Sequence, residues 1–526
     1  MRLSHAVLAG LFSTAAPALA GTPLPHPVGP YPDNTLPTDE PDHVPHTLAD
    51  ALGIAYETTP QLTGERAKVR ATDENLPAAL AGWRPTVTVT GTDGFSDGRQ
   101  DQVSACDGSQ TSLNNNSCYK NGVPNPNYKP PPSMPFAQNP NFAATNSFID
   151  STLVSRNQNA ETATVTEYLY RSGKTAASTH QADNSIYAER ARLIAEEELV
   201  FSDTISAYVS YVEDTQLLAL NVQNEQVLGD ELRAVADRYR VGELTRTDVA
   251  QAEAALAAAI AQRQTAEGNL QTAAATFYRA VGVNPPKDLA DPQPLRLPVK
   301  SEQEAADVAA SNNPTVVAAL FNQAQMKDTI DVAFAALGPQ IYLQGQGFQS
   351  VRTTLAGFST YGFQGTINLS MPLYQGGSEY ATIRQARQNY QQSVRQTQDA
   401  VRAARQQAVS AWDTLVAARA AVASSRIAVR SAEIAVEGTE RQALVGSATT
   451  QDVLIQQQNL LSAQITLVQN VTSVVTSSYS IADATGRLTA KDLGLGVPLY
   501  DETAYYNAVK NRLWGTGDYA VHEPGR

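Results

Sequence analysis

The sequence contains two copies of one unit, and this duplication constrains the fold more than any other feature. Residues 241–289 align with residues 445–493 without a gap, and 13 of the 49 paired positions are identical. Towards the N-terminus the offset of 204 becomes 254, so that Pro60 pairs with Pro314. The 526 residues, which would otherwise suggest several globular domains, are therefore interpreted as one unit used twice.

The change of offset places 50 additional residues in the first copy, between about 92 and 160. This stretch is rich in Pro, Asn and Gly, and it contains both cysteines of the chain, Cys106 and Cys118. The composition predicts a long loop. In an oxidising compartment the two cysteines can pair, and the disulfide would then close part of this loop.

Each copy contains segments in which apolar and polar residues alternate. Residues 361–373 place Phe363, Ile367 and Leu369 at one parity and Gln364, Thr366 and Asn368 at the other. Residues 340–344 and 86–90 alternate more briefly. A period of two predicts strands with one apolar and one polar face, two for each copy and four for the chain.

Long stretches without proline follow the strands. Residues 173–239 and 377–443 each span 67 residues, which is about 100 Å as continuous helix. Two shorter helices are predicted to pack along each long one: 245–282 with 60–83, and 449–486 with 314–337. An extended coiled-coil rod is the alternative interpretation, although a rod does not require amphipathic strands.

The N-terminus indicates export. Arg2, the apolar residues 6–19 and the triplet Ala18-Leu19-Ala20 predict a signal peptide over residues 1–20, cleaved after Ala20. Residues 21–46 are rich in Pro and are predicted to be an extended leader. An exported chain with amphipathic strands and no long apolar segment points to an outer membrane. Four strands cannot close a barrel alone, so an oligomer is predicted.

Charge and residue counts exclude several functions. The net charge of −14 argues against a nucleic-acid partner. Two cysteines and six scattered histidines give no metal-ligand pattern, and neither a nucleotide-binding loop nor a catalytic triad is present in the sequence. The sequence therefore predicts no enzymatic activity, no cofactor and no bound metal.

Two motifs resemble the TolC family of outer-membrane export channels. Leu373-Tyr374-Gln375-Gly376-Gly377 lies at a strand-to-helix junction, and Val-Gly-x-x-x-x-x-Asp-Val begins at Val241 and again at Val445. The resemblance covers roughly residues 47–493. It implies a mainly α fold with a membrane β-barrel, in which a homotrimer combines twelve strands into one barrel on a long periplasmic α-helical tunnel.

The resemblance also implies a division of the chain. The two repeats are expected at 47–282 and 314–493, an equatorial linker at 283–313 and a periplasmic tail at 494–526. The inserted loop 92–160 would lie outside the cell.

The implied function is a passive exit channel in the outer membrane of a Gram-negative bacterium, gated at its periplasmic tip. A periplasmic adaptor (membrane fusion protein) and an inner-membrane transporter of ABC or RND type would recruit the channel for type I protein secretion or small-molecule efflux. A periplasmic adaptor and a structural coiled-coil protein are the alternatives. Adaptors, however, carry one helical hairpin, whereas this chain has two strand-helix units.

Candidate site residues follow from the same resemblance. Tyr374, Gly376 and Gly377 would form the strand-helix junction, and the helix turns at Val241-Gly242 and Val445-Gly446 would contact the adaptor. Asp452 matches an aspartate that narrows the pore in the family and favours cations. Asp452 and Asp248 also stand three residues after Thr449 and Thr245, a spacing typical of helix caps.

Thr247 and Asp248 match residues of the lock that closes the family's channel. Their partner positions are Ala443 and Ala448 in this chain, so the lock cannot form in the family's manner. Tyr239, Arg246 and Arg441 are nearby candidates to replace the missing partners.

Overall fold

A computed structural model describes residues 44–105, 119–120, 123–124, 147–297, 299–351 and 359–517. The chain divides into the units Met1–Val44 and Pro45–Arg526, and the fold described below is that of the second unit. The predicted signal peptide, the leader up to residue 43 and the pair Cys106 and Cys118 lie outside the described residues.

Two helices of 67 residues dominate the described part of the chain, and each is about 100 Å long. They confirm the prediction from the long stretches without proline. The described α-helices are α1 (Leu48–Thr58), α2 (Pro60–Asp73), α3 (Asn75–Leu80), α4 (Lys174–Arg240), α5 (Arg246–Val281), α6 (Glu302–Asn312), α7 (Pro314–Ala335), α8 (Ser378–Leu444), α9 (Thr450–Ala484) and α10 (Ala504–Val509).

The strands form an antiparallel sheet in the order β1-β4-β5-β6, comprising β1 (Thr86–Ala105), β4 (Ser147–Arg171), β5 (Gln340–Val351) and β6 (Ser359–Ser370). A separate short pair contains β2 (Tyr119–Lys120) and β3 (Val123–Pro124). All four long strands meet the helical region at the same end of the sheet, because β1 follows α3, β4 and β6 precede α4 and α8, and β5 follows α7. We call this end the base of the sheet.

Short helices pack along the long ones as predicted: α4 packs against α5, α2 and α7, and α8 packs against α9 and α7. The C-terminus of α9 meets the N-terminus of α7, where Asn313 Nδ2 donates to the Ala484 carbonyl at 3.2 Å. The equivalent joint of the first copy is between α5 and α2, where Thr58 Oγ1 donates to the Val281 carbonyl at 3.4 Å. Helix ends therefore satisfy each other's polar groups at these joints.

The predicted single helix over 60–83 is wrong, because the structure breaks it at Glu74. Pro77 explains the break: it has no N–H to donate to the carbonyl of Asp73, and its ring would clash with that carbonyl in a continuous helix. The segment continues as α3 and one 3₁₀ turn, Ala81–Trp83.

The predicted loop over 92–160 is wrong at both ends. The ladder between β1 and β4 continues from Thr86↔Thr166 to Ala105↔Ser147, so residues 92–105 and 147–160 are strand. This hairpin extends 12 residues beyond Asn159↔Val351, where β5 ends, which is about 40 Å. The sequence did not predict this extension, because it contains residues that are common in turns, such as Gly94 and Asp97. The hydrogen bonds of the ladder join backbone groups, so they form regardless of side-chain polarity.

The largest hydrophobic cluster lies where α1, α4, α5, α9 and the segment after α9 meet. Tyr208, Phe201 and Phe277 are fully buried there. The Tyr208 hydroxyl donates to the Ala290 carbonyl at 2.8 Å, so this tyrosine is a packing residue that also fixes the segment after α5.

A buried carboxyl group, that of Glu198, lies beside this cluster and is 4% exposed. Its Oε1 accepts a hydrogen bond from the Leu488 amide at 3.3 Å. Burial, together with the negative charge of Asp483, raises the pKa of Glu198 to about 9 from 4.5. The folded protein therefore holds a proton at neutral pH that the unfolded chain releases.

The stability should consequently fall as pH rises from 4.5 to about 9, since the folded state binds more protons in that window. Glu198→Gln removes the titration and keeps an oxygen for Leu488. We expect a weaker pH dependence and a free energy of unfolding that is higher by roughly 1–3 kcal/mol near pH 8. Thermal unfolding of the detergent-extracted protein at about pH 5 and about pH 8 measures this effect. Glu196→Gln, on a less buried side chain, is the control, and equal shifts for both variants would contradict the prediction.

Candidate functional site

The sheet has a polar face. The strand register aligns polar side chains in rows that cross all four strands. The two rows nearest the base are Thr86, Thr166, Gln344 and Thr366, and then Thr88, Thr164, Gln346 and Gln364. A face of this composition is suited to contact with water.

The opposite face is apolar and exposed. Phe363 on β6 is 97% exposed, and Ile367 and Leu369 at the same parity are exposed as well. Further exposed apolar residues on the other strands are Val87, Val89, Val165 and Leu343. Because an exposed apolar face of this extent is unfavourable in water, the sheet is suited to lipid on this side. At 12 residues, β5 and β6 are long enough to span a membrane.

The junction from sheet to tunnel helix uses two consecutive residues with positive φ in both copies. Gly376 and Gly377 have φ of 70° and 83°, and Gly377 is the N-cap of α8. Ser172 and Gly173 take the same conformations before α4, with φ of 51° and 81°. Two left-handed residues thus precede the long helix in each copy, and Tyr374 is exposed beside the second junction.

The helix turns at the far end from the sheet have identical geometry. After α4, the Glu243 amide donates to the Arg238 carbonyl at 2.9 Å, and Gly242 has φ of 84°. After α8, the Ser447 amide donates to the Gln442 carbonyl at 2.9 Å, and Gly446 has φ of 77°. This is the Schellman arrangement, in which glycine adopts a backbone conformation that other residues rarely take.

Apolar side chains mark both turns. Val241 and Val445, the last residues before the glycines, are 73% and 78% exposed. Leu444 beside Val445 is exposed too. The ends of the two helical hairpins thus present apolar contacts that nothing in the described residues of this chain covers.

Asp248 and Asp452 form capping boxes at the starts of α5 and α9, as their spacing predicts. Oδ2 of Asp452 accepts hydrogen bonds from the Thr449 amide at 2.8 Å and from its hydroxyl at 2.7 Å. Asp248 makes the same two bonds with Thr245. The hydrogen bond from the threonine hydroxyl is the main reason why the pKa of each aspartate lies below its usual value. Both carboxylates are therefore ionised at neutral pH.

Of the predicted replacements for the lock, Arg441 is engaged within its own hairpin, and Tyr239 is 44% exposed. Arg441 pairs with Glu437 on α8, and Asp248 bonds Thr245 while Thr247 stays exposed. A contact that the sequence did not reveal joins the two hairpins instead: Gln251 Nε2 on α5 donates to Gln451 Oε1 on α9 at 3.5 Å. Comparison of the two copies could not predict this pair, because the position equivalent to Gln251 in the second copy is Ile455, which cannot form the same hydrogen bond.

Among the residues that the structure describes, no helix combines the length and the apolar character needed to cross a membrane. Nor do the described side chains include a group of three or more His, Cys, Asp and Glu placed to hold a metal ion.

A sheet with a lipid-suited face and a water-suited face, continued by helices of about 100 Å, defines a channel protein of an outer membrane. Comparison with known proteins agrees. Residues 305–487 match the family model described as outer membrane efflux protein. The outer membrane efflux protein BepC of Brucella suis biovar 1 (strain 1330) is 30% identical over 473 residues, which are 89% of this chain and 91% of BepC. The chain belongs to the outer membrane efflux protein family.

Solved structures show the same fold. A membrane protein from Pseudomonas aeruginosa has a TM-score of 0.66 at 16% identity, with 84% of this chain and 90% of that chain covered. The CmeC outer membrane channel of Campylobacter jejuni has a TM-score of 0.64 at 14% identity, with 84% and 86% covered. The TolC-type resemblance, the Gram-negative outer-membrane location and the role of a conduit rather than an enzyme are thereby confirmed.

Proposed function

We propose that this chain is the exit channel of a tripartite export system and works as a homotrimer. The observation that carries the proposal is the open sheet. Within the described residues, β1 and β6 each have one partner strand and one open edge. Open edges are not tolerated in lipid, because unpaired backbone groups find no water there. Three copies of the four-stranded sheet would remove every edge by closing one barrel of twelve strands.

In such a barrel the polar rows face the lumen and the face with Phe363 and Ile367 faces lipid. The hairpins α4–α5 and α8–α9 then continue the lumen as a tunnel across the periplasm. Transport through it is passive, and the energy comes from an inner-membrane transporter. The relationship to BepC, an outer membrane efflux protein, favours small-molecule efflux over type I protein secretion.

The far turns of the helices are the proposed contact for a periplasmic adaptor. The exposed valines Val241 and Val445 stand on rigid Schellman turns and offer the apolar anchor that a partner helix requires. The Gln251–Gln451 bond between the two hairpins near these turns is a contact that opening of the tip would break.

Chemical cross-linking of the detergent-extracted protein tests the assembly. The ladder of cross-linked species should end at three copies, and purified trimers should conduct ions in a planar bilayer. A ladder that ends at one or two copies contradicts the proposal. Release of the membrane-bound protein by buffer without detergent would instead favour the coiled-coil alternative.

Asp452 is proposed to form a ring of three carboxylates at the tip, because it is exposed and ionised and its hydrogen bonds with Thr449 use only Oδ2. Clustered carboxylates attract divalent cations. In Asp452→Asn trimers we expect the Mg²⁺ concentration that halves the conductance to rise roughly tenfold. Asp248→Asn alters the equivalent capping box of the first copy and is the matched control. Equal changes in both variants would assign the effect to the caps and contradict the ring.

A further inference from the structure

Two of the three tryptophans of the chain lie exposed near the base of the sheet. Trp83 is three residues before Thr86, the first residue of β1, and therefore lies within about 10 Å of the base. Trp514 belongs to the C-terminal segment and is 87% exposed, and its neighbour Leu513 is exposed as well. Large apolar side chains that are exposed together at one place are unfavourable in water and indicate a contact surface.

Arginine side chains hold the C-terminal segment in this place. Arg84, next to Trp83, donates from Nη1 to the Arg512 carbonyl at 3.0 Å. Arg512 in turn donates from Nε to the Trp514 carbonyl at 3.3 Å and from Nη1 to the Gly517 carbonyl at 2.7 Å. The position of Trp514 relative to the strands is thus fixed by hydrogen bonds between segments 428 residues apart.

A cavity of about 530 Å³ lies under this segment, between it and α2 and α3. Arg70, Arg512 and Trp514 line it together with Glu74, whose Oε1 accepts a hydrogen bond from the Tyr505 hydroxyl at 2.9 Å. With Arg84 nearby, guanidinium groups outnumber carboxylates at the rim. The surface thus combines amphipathic indole rings with positive charge, the combination that suits a phospholipid headgroup region.

We propose that Trp83, Leu513 and Trp514, with the guanidinium groups of Arg84 and Arg512, bind phospholipid headgroups at the periplasmic face of the outer membrane. We call these residues the tryptophan patch. The exposed apolar face of the strands ends at the base, and the exposed residues Leu373 and Tyr374 follow β6 within five residues of its end. The tryptophan patch extends this lipid contact beyond the sheet, to the turn between α3 and β1 and to the segment after α10. It thereby sets the depth at which the channel lies in the bilayer.

Tryptophan fluorescence tests the patch directly, because the third tryptophan, Trp412, is an internal reference. Trp412 is half-buried 34 residues into α8, about 50 Å from the start of that helix. One variant retains only Trp514 (Trp83→Phe with Trp412→Phe), and the other retains only Trp412 (Trp83→Phe with Trp514→Phe). Both are reconstituted into vesicles of phosphatidylethanolamine and phosphatidylglycerol, with and without a nitroxide on the headgroup.

We expect the nitroxide to remove most of the emission of Trp514 and little of the emission of Trp412. Adding Arg512→Ala to the Trp514-only protein should reduce the quenching, because the hydrogen bond to the Trp514 carbonyl is lost. Lys510→Ala is the control, since the Lys510 ammonium donates to Asn507 and not to the patch.

An unquenched Trp514 in a protein that floats with the vesicles would overturn the proposal. A blue-shifted emission that is insensitive to the nitroxide would overturn it equally, by showing that a second copy of the chain covers the patch. The proposal depends on the outer-membrane location and not on trimer closure. Flotation and conductance of the same samples therefore report the channel separately from the patch.

Discussion

Gly486→Ala is expected to destabilise the protein far more than the equivalent Gly282→Ala in the first copy. Gly486 has φ of 70°, and a Cβ added there would lie 2.4 Å from the Asn312 carbonyl oxygen and 3.1 Å from Pro314 Cδ. The first of these atoms belongs to backbone, at the joint where α9, α6 and α7 meet. The clash therefore cannot be relieved by a change of rotamer and must move a helix end.

Gly282 isolates the contribution of the backbone conformation. Its φ is 90°, and a Cβ there would meet only Thr58 Oγ1 at 3.5 Å, an ordinary contact. Gly282→Ala should therefore cost about 1–2 kcal/mol, for the left-handed conformation alone. Gly486→Ala should cost about 3–5 kcal/mol in total.

Thermal unfolding midpoints of the two detergent-extracted variants, and the amount of each that reaches the outer membrane, measure the difference. Equal midpoints would contradict the prediction, because the joint between α9 and α7, where Asn313 contacts Ala484, would then accommodate the added Cβ without loss of stability.

Ile367→Arg should prevent most of the protein from inserting, whereas Thr366→Arg should insert. Ile367 lies on the apolar face, about 10 Å from the end of β6 at Ser370, and Thr366 lies on the polar face beside it. A charged side chain on the lipid face costs up to about 2–4 kcal/mol for each copy, and the proposed trimer would carry that cost three times.

Outer-membrane fractionation measures insertion, and planar-bilayer conductance measures what Thr366→Arg does to the lumen. A positive charge on the polar face should lower cation conductance in channels that assemble normally. Equal insertion of both variants would mean that the two faces do not differ in their surroundings, and the assignment of lipid and lumen would then be wrong.

Features that depend on local sequence were predictable. The alternation around Phe363 and Ile367 identified β6, the stretches without proline gave α4 and α8 their lengths, and the two Val-Gly motifs placed the turns. In each of these cases the pattern lies within the segment that forms the helix, strand or turn, so the sequence of that segment was sufficient to predict it.

Features that depend on contacts between distant segments were not predictable. Glu198 is buried because residues after α9 pack onto α4, and its acceptance of the Leu488 amide joins positions 290 residues apart. The outer half of the β1–β4 hairpin lacks the apolar alternation that reveals β6, because it extends beyond β5 and β6. The Gln251–Gln451 bond also depends on how two hairpins meet, which neither copy encodes alone.

Helix α7 packs on α8 of its own copy and on α4 of the other copy. Its counterpart in the first copy, α2, packs on α4, and the equivalent of its second long neighbour would be α8 of the adjacent subunit. The boundary between copies within a chain and the boundary between chains would then be the same interface, repeated in a pseudo-sixfold ring. In the proposed trimer, each substitution on the α4-facing side of α7 would then have a counterpart on α2 that tests the contact between subunits.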